Sequence, residues 1–180
     1  MRTANPKQVA GWTLGTSQFV AIDFETANPS RESACAVGLV RVERGEITAR
    51  ERRMIRPPTR SFTYTSIHGI DWRHVASAPE FAEVWSDLEP LVSGVDFLAA
   101  HNAPFDRSVL DGCCRRARIH PPLLPMRCSM QIAREVWDIH PTRLPDVCRF
   151  LRIPLEHHDA LSDAEACARI VLAAWGRAAR

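Results

Sequence analysis

The stretch FVAIDFETA, Phe19 to Ala27, leads four apolar residues into an acid, an aromatic and a second acid. Side chains of a strand alternate faces, so Asp23 and Glu25 point to one side and Phe24 to the other. The two acidic Cα atoms stand roughly 6–7 Å apart at a rise of about 3.3 Å per residue. A carboxylate is costly to remove from water unless something pairs with it. No Lys or Arg adjoins these two, and the nearest cation in sequence is Arg31. Two carboxylates at that separation can share a metal ion or flank a pair of ions. The plainer alternative is a strand end carrying two solvated acids.

Outward from Phe19–Phe24, read as a buried strand, the chain shows hairpin grammar. Ser33–Glu43 forms a second strand, Arg44–Gly45 turns, and a third strand runs from Glu46 to about Arg56. The prolines of RPPT, Arg56–Thr59, stop the sheet because proline cannot donate to a ladder. From Pro79 to Val92 the apolar residues Phe81, Val84, Trp85, Leu88 and Leu91 recur at helical spacing. Val95–His101 reads as a fourth strand, followed by a helix from about Pro104 with Phe105, Val109, Leu110 and Cys113 on one face. Met126–Met130 reads as a short fifth strand, followed by helix to about Trp137. A short helix spans about Pro145 to Leu151. A last helix carries Ala164, Cys167, Ala168, Val171, Leu172 and Trp175 on one stripe. Three strands first, then alternating helix and strand, imply an α/β chain with a mixed sheet and helices packed on it.

The length of 180 residues, with 46% hydrophobic and 24% charged, suits one globular domain with a full core. We expect a short arm over residues 1–18 and a single domain over residues 19–180. The net charge of +2 excludes a strong overall field. Of 23 basic residues only Lys7 is a lysine, and arginine forks suit phosphate and carboxylate, although such runs usually mark solvated faces. The six cysteines form no CxxC pair. They read as reduced, mostly buried thiols of a cytoplasmic protein. The leader has no apolar core for a secretory signal, and no run approaches the roughly 20 apolar residues of a membrane span.

Two further stretches carry chemistry. In HNAPFD, His101–Asp106, a strand ends and Pro104 suits the first position of a helix. Asp106 falls in that helix's first turn, where its charge complements the dipole. The same turn places side chains at the C-terminal edge of a sheet, where α/β proteins bind ligands. Asn102 suits the turn through local side-chain bonding. In HHDALSDAEA, His157–Ala166, Asp159 or Ser162 caps the last helix, with Glu165 at capping-box spacing from Ser162. Asp163 then lies near the helix start and His158 in the loop before it. A lone histidine there is more often structural than catalytic, although it titrates nearest neutral pH.

Together these stretches resemble the DEDDh 3′→5′ exonucleases, the family of the epsilon proofreading subunit of bacterial DNA polymerase III. DxET matches Asp23–Thr26, HNxxFD matches His101–Asp106, and HxAxxD matches His158, Ala160 and Asp163. IHGI, Ile67–Ile70, resembles the segment between the first two motifs. The resemblance implies an RNase H-like fold, a five-stranded mixed sheet whose first three strands are antiparallel. It implies that Asp23, Glu25, Asp106 and Asp163 hold two divalent cations, Mg²⁺ with Mn²⁺ as substitute, with Asp23 bridging both. Hard ions of this kind want oxygen ligands, and without metal four converging carboxylates would repel. His158 would take the proton from the attacking water, the five-residue step to Asp163 selecting it over His157. The expected activity is removal of nucleoside 5′-monophosphates from single-stranded 3′ ends, with DNA favoured. Thr26 would touch the terminal nucleotide, and His68 and Gly69 would line its pocket, glycine allowing close backbone approach. Phe24 faces the core.

Three rivals remain in view: a zinc protein using His101, Cys113, Cys114 and Cys128, a silent nucleic-acid-end binding module, and an exonuclease of RNA or very short oligonucleotides. Arginines between Arg50 and Arg60, with Arg115, Arg116 and Arg118, suit either phosphates or plain solvent. The chain ends soon after the last helix, so no docking tail for a polymerase is expected. A stand-alone enzyme of repair or RNA turnover fits equally, and the oligomeric state is open.

Overall fold

The computed structural model describes residues 17–178. Five strands form one mixed sheet in the order β3-β2-β1-β4-β5. Strands β1 (Phe19–Thr26), β2 (Ala34–Glu43) and β3 (Glu46–Met54) run antiparallel. Strands β4 (Phe97–Ala100) and β5 (Met126–Cys128) continue parallel to β1. The helices are α1 (Thr65–His68), α2 (Trp72–Val75), α3 (Phe81–Val92), α4 (Ala103–Ala117), α5 (Ser129–Trp137), α6 (Leu144–Leu151) and α7 (Ala160–Ala178).

Strand β1 is central, so both its faces are covered and its apolar run is continuous. Val20, Ile22 and Phe24 pack with Val84, Trp85 and Leu88 of α3 and Val109 and Leu110 of α4. Phe19 and Ala21 pack on the opposite face with Ala164, Cys167, Ala168 and Val171 of α7. The two-residue period therefore puts Asp23 and Glu25 on the α7 face and Phe24 in the α3–α4 core. Helix α7 reaches them because β2 carries a glycine at the crossing. Gly38 is the register partner of Asp23. A Cβ on Gly38 would stand 2.1 Å from Ala160 O at the start of α7. Any side chain there would push the helix away from β1.

Several boundaries differ from the sequence reading. Strand β1 runs to Thr26, with a register shift between Glu25 and Thr26 that bends its end. Strand β3 stops at Met54, short of the prolines. Strand β4 omits Val95, Asp96 and His101. Asp96 N–H donates to Gln18 O at 2.8 Å, and Gln18 N–H donates to Asp96 Oδ2 at 2.8 Å, so structure begins before Phe19. The rest of the expected arm, residues 1–16, lies outside the described residues. Strand β5 ends at Cys128. Helices α1 and α2 were not expected: four residues each are too short to show a period. Their ends are set by caps, such as the Asp71–His74 capping box of α2. All six cysteines are free and buried. Among the described residues no helix is long and apolar enough to cross a membrane.

Candidate active site

The acids converge from three elements at the C-terminal end of β1. A ligand oxygen from each of Asp23, Glu25 and Asp163 lies within 4.8 Å of the others. They share a cleft of about 510 Å³ with Thr26, Tyr64, Ile67, His68, Phe105, Met130, Leu144, His157 and His158. Asp106 lies beneath the cleft wall, 1% exposed. Its Oδ1 accepts the Phe24 N–H at 3.1 Å. Pairing of β1 with β4 covers only Phe19–Ala21, so Asp106 satisfies a backbone donor that the sheet leaves open.

Burial drives the electrostatics. It pushes the Asp23 carboxyl well above its usual range, and the charges of Asp106, Asp163 and Glu25 add to the shift. Burial raises Glu25 to about 8, again with Asp163 and Asp106 contributing. Burial also raises Asp106 to about 8, against the Phe24 N–H, which favours the anion. Asp163 is raised by burial as well, with His157 opposing. Asp163 Oδ1 is buried with no hydrogen-bond partner. Oxygen donors with raised pKa values, one of them orphaned, fit a hard divalent cation.

The loop before α7 distributes two histidines. His157 Nδ1 lies 2.9 Å from Asp163 Oδ2, and the same oxygen accepts the His158 N–H at 3.2 Å. The neighbour the sequence passed over thus holds Asp163, a role that only the loop's backbone path reveals. His158 adopts φ 71° and stacks on His157 at 3.8 Å between ring centroids. No described residue hydrogen-bonds its ring nitrogens, and burial lowers its pKa below the usual imidazole value. Asp159, rather than Ser162, caps α7: its Oδ1 accepts the N–H groups of Leu161 and Ser162.

Thr26 lies on the cleft wall, and its carbonyl accepts from His68 Nε2 at 3.0 Å. His68 Nδ1 accepts the Ile70 N–H at 3.0 Å, so both ring nitrogens tie α1 to β1. Gly69 directly follows His68, which lines the cleft. It ends α1 at φ 75°, and nothing lies within 4 Å of where a Cβ would stand. Its left-handed backbone conformation favours glycine here. Asn102 differs from the sequence reading: it makes no side-chain cap bond and holds the turn through left-handed backbone at φ 77°.

The zinc grouping does not assemble. His101 is engaged by Ser129 Oγ and Thr142 O at 2.8 and 2.9 Å, and no described cysteine joins a metal-ligating group. Sequence reasoning missed Tyr64, Met130, Arg143 and Leu144 on the wall. Their separate loops and helices carry no shared spacing that a linear reading could detect.

A five-stranded mixed sheet with helices on both faces and an acid-lined cleft at the end of its central strand is an RNase H-like fold. The sequence pattern of the Exonuclease family, RNase_T, matches residues 20–171, and the chain belongs to that family of nucleic-acid-degrading hydrolases. It is 33% identical over 153 residues to DNA polymerase III PolC-type of Oceanobacillus iheyensis, covering 82% of this chain and 11% of that protein. It is 31% identical over 116 residues to DNA polymerase III subunit epsilon of Haemophilus influenzae, covering 61% of this chain and 45% of that one. The chain thus spans less than half the length of these relatives. The nuclease domain of 3′hExo, a DEDDh family member bound to rAMP, shares the fold with TM-score 0.71. Its identity is 20%, with 88% of this chain and 91% of that one covered.

Proposed function

We propose that the protein is a two-metal 3′→5′ exonuclease that removes nucleoside 5′-monophosphates from single-stranded ends, DNA foremost. The observation that carries this reading is the meeting of Asp23, Glu25 and Asp163 within 4.8 Å, with Asp106 tied to the intervening Phe24 N–H. These four would hold Mg²⁺, or Mn²⁺ in its place. When bound, such ions supply a water of lowered pKa and neutralise charge on the leaving oxygen. His158 is the general base. Its lowered pKa leaves the imidazole neutral at pH 7, ready to take a proton from the attacking water. His157 keeps Asp163 in place. Thr26 contacts the terminal nucleotide at the cleft wall, and His68 holds α1 beside it.

DNA is favoured because both relatives above 30% identity are DNA polymerase III components. A replicative polymerase or a repair assembly is the corresponding partner, and the free buried thiols suit a reducing cytoplasm. All five motif positions are filled, which favours turnover over a silent binding module. The test is to incubate 5′-labelled single-stranded DNA and RNA with the protein and Mg²⁺, Mn²⁺ or chelator. We expect a stepwise ladder from the 3′ end that needs metal, runs faster on DNA and disappears in Asp23→Ala. A ladder that persists in chelator would overturn the metal assignment.

A further inference from the structure

Most arginines near the sheet edge and on α4 have carboxylate partners. Arg50 pairs with Glu165, Arg52 with Asp159, Arg56 with Glu80 and Arg116 with Glu32. Arg31 and Arg60 differ. Among the described residues no carboxylate stands within ion-pair distance of either one, and each lies over an aromatic ring. Arg31 Cζ is 4.4 Å from the Phe105 centroid, and Arg60 Cζ is 4.9 Å from that of Trp72. A stacked guanidinium is steadied by the ring while its in-plane donors stay free.

Both arginines sit in segments anchored to the chain just after β1. Ala27 O accepts the N–H groups of Thr63 and Tyr64 at 2.8 and 3.2 Å, and Asn28 Nδ2 donates to Ser61 O at 2.8 Å. The Arg60 segment is thereby stitched to the residues that follow Thr26. The Arg31 loop is closed by Ser33 Oγ, 2.7 Å from Ser30 O, and Arg31 O accepts from the Cys113 thiol of α4 at 3.6 Å. Phe105, the ring beneath Arg31, lines the cleft, as does Tyr64, which follows Arg60 in the same stitched segment. Arg31 is close enough to act electrostatically on Asp106.

We propose that Arg31 and Arg60 are positioning residues that hold backbone phosphates of the single strand leading away from the terminal nucleotide. This rests on the nuclease reading and extends it from the last nucleotide to the preceding ones. Two fixed cations without acidic partners suit a polyanion that continues past the metal-binding acids. Each phosphate neutralised on a single strand contributes about 0.7 to the salt slope of binding.

The test measures anisotropy of a 5′-labelled ten-nucleotide DNA strand in Ca²⁺ across a salt series. It also measures kcat/KM for that strand and for a dinucleotide, which has no phosphate beyond the scissile one. We expect Arg31→Ala to lower the slope of log Kd against log salt by about 0.7, and the Arg31→Ala/Arg60→Ala double variant by about 1.4. The ratio of kcat/KM for the long strand over the dinucleotide should fall about fivefold to tenfold in Arg31→Ala, through KM. Arg31→Lys should keep the slope. Arg44→Asn, at the far hairpin turn, should change neither quantity. Unchanged slopes in the double variant, or equal losses on both substrates, would overturn the proposal. Absence of turnover in the unaltered protein would overturn the nuclease reading, while the binding slopes would still decide the role of the two arginines.

Discussion

Acidic residues paired with arginines of the edge strand β3 and those in the cleft behave in opposite ways. On the edge, Glu165 accepts two hydrogen bonds from Arg50, and this partner holds its carboxyl below the usual range. Arg52 lies 3.2 Å from Asp159, and Arg53 pairs with Glu51. In the cleft, Asp23 and Glu25 have no such partner among the described residues, and burial pushes both upward. The residue types are the same; the difference lies in burial and in the missing cation. Exposed pairs are neutralised within the chain, whereas the buried group gains most from a cation that arrives from solution.

The largest test of this contrast is Asp23→Ala. Losing several kcal/mol of charge stabilisation lowers turnover by roughly 10³-fold or more, measured by single-turnover cleavage. The same change should raise the melting temperature of the metal-free protein at pH 8, because it removes a buried carboxyl crowded by the charges of Asp106, Asp163 and Glu25. A fall in both would mean that Asp23 serves the fold. Next, His158→Ala should slow cleavage by roughly 10²–10⁴-fold with metal binding retained. His157→Ala should weaken metal binding instead, through Asp163. Near-full activity in His158→Ala would transfer the base role to its neighbour.

The pH dependence of stability sharpens the comparison. Glu25 moves from 4.5 to about 8 and Asp106 from 3.8 to about 8 on folding, so the folded state holds protons that the unfolded chain has lost. Their contribution is present below about pH 4 and is lost as pH rises through about 8. His101 runs the other way: its shift from 6.5 to about 4 makes stability present above 6.5 and lost as pH falls through about 4. Between pH 6.5 and 8 only the acids act. Thermal melts in chelator should therefore show the melting temperature falling across that window. Saturating Mg²⁺ replaces the protons and should flatten the decline, raising the melting temperature at pH 8 by about 5–10 °C at 100 times Kd.

Gly38→Ala should cost about 1–3 kcal/mol, from the 2.1 Å approach of Ala160 O, and should lower metal affinity by displacing α7. Full stability would mean that α7 shifts freely. The smallest effect is expected on the edge. Arg50→Ala should change stability by under about 1 kcal/mol and leave cleavage intact, because exposed pairs are screened.

The legible part of this protein lay in local periods. Alternation along Phe19–Thr26 placed Asp23 and Glu25 together, and strand order along the chain matched the five-stranded sheet. The unread part depended on contacts between distant segments. Gly38 looks like any strand glycine until α7 crosses it, and the hydrogen bond of His157 to Asp163 appears only once the loop's backbone is in place.

The amino-acid sequence alone determined which residues are acidic, which face of β1 they share and the order of the elements that carry them. These follow from backbone geometry, which repeats every two residues in a strand and every 3.6 in a helix. Only the tertiary structure decided that Asp106 would sit beneath the cleft on the Phe24 N–H while Asp163 keeps one oxygen unpaired. Burial and hydrogen bonding are set by neighbours remote in sequence, and local pattern has no means of encoding their distance.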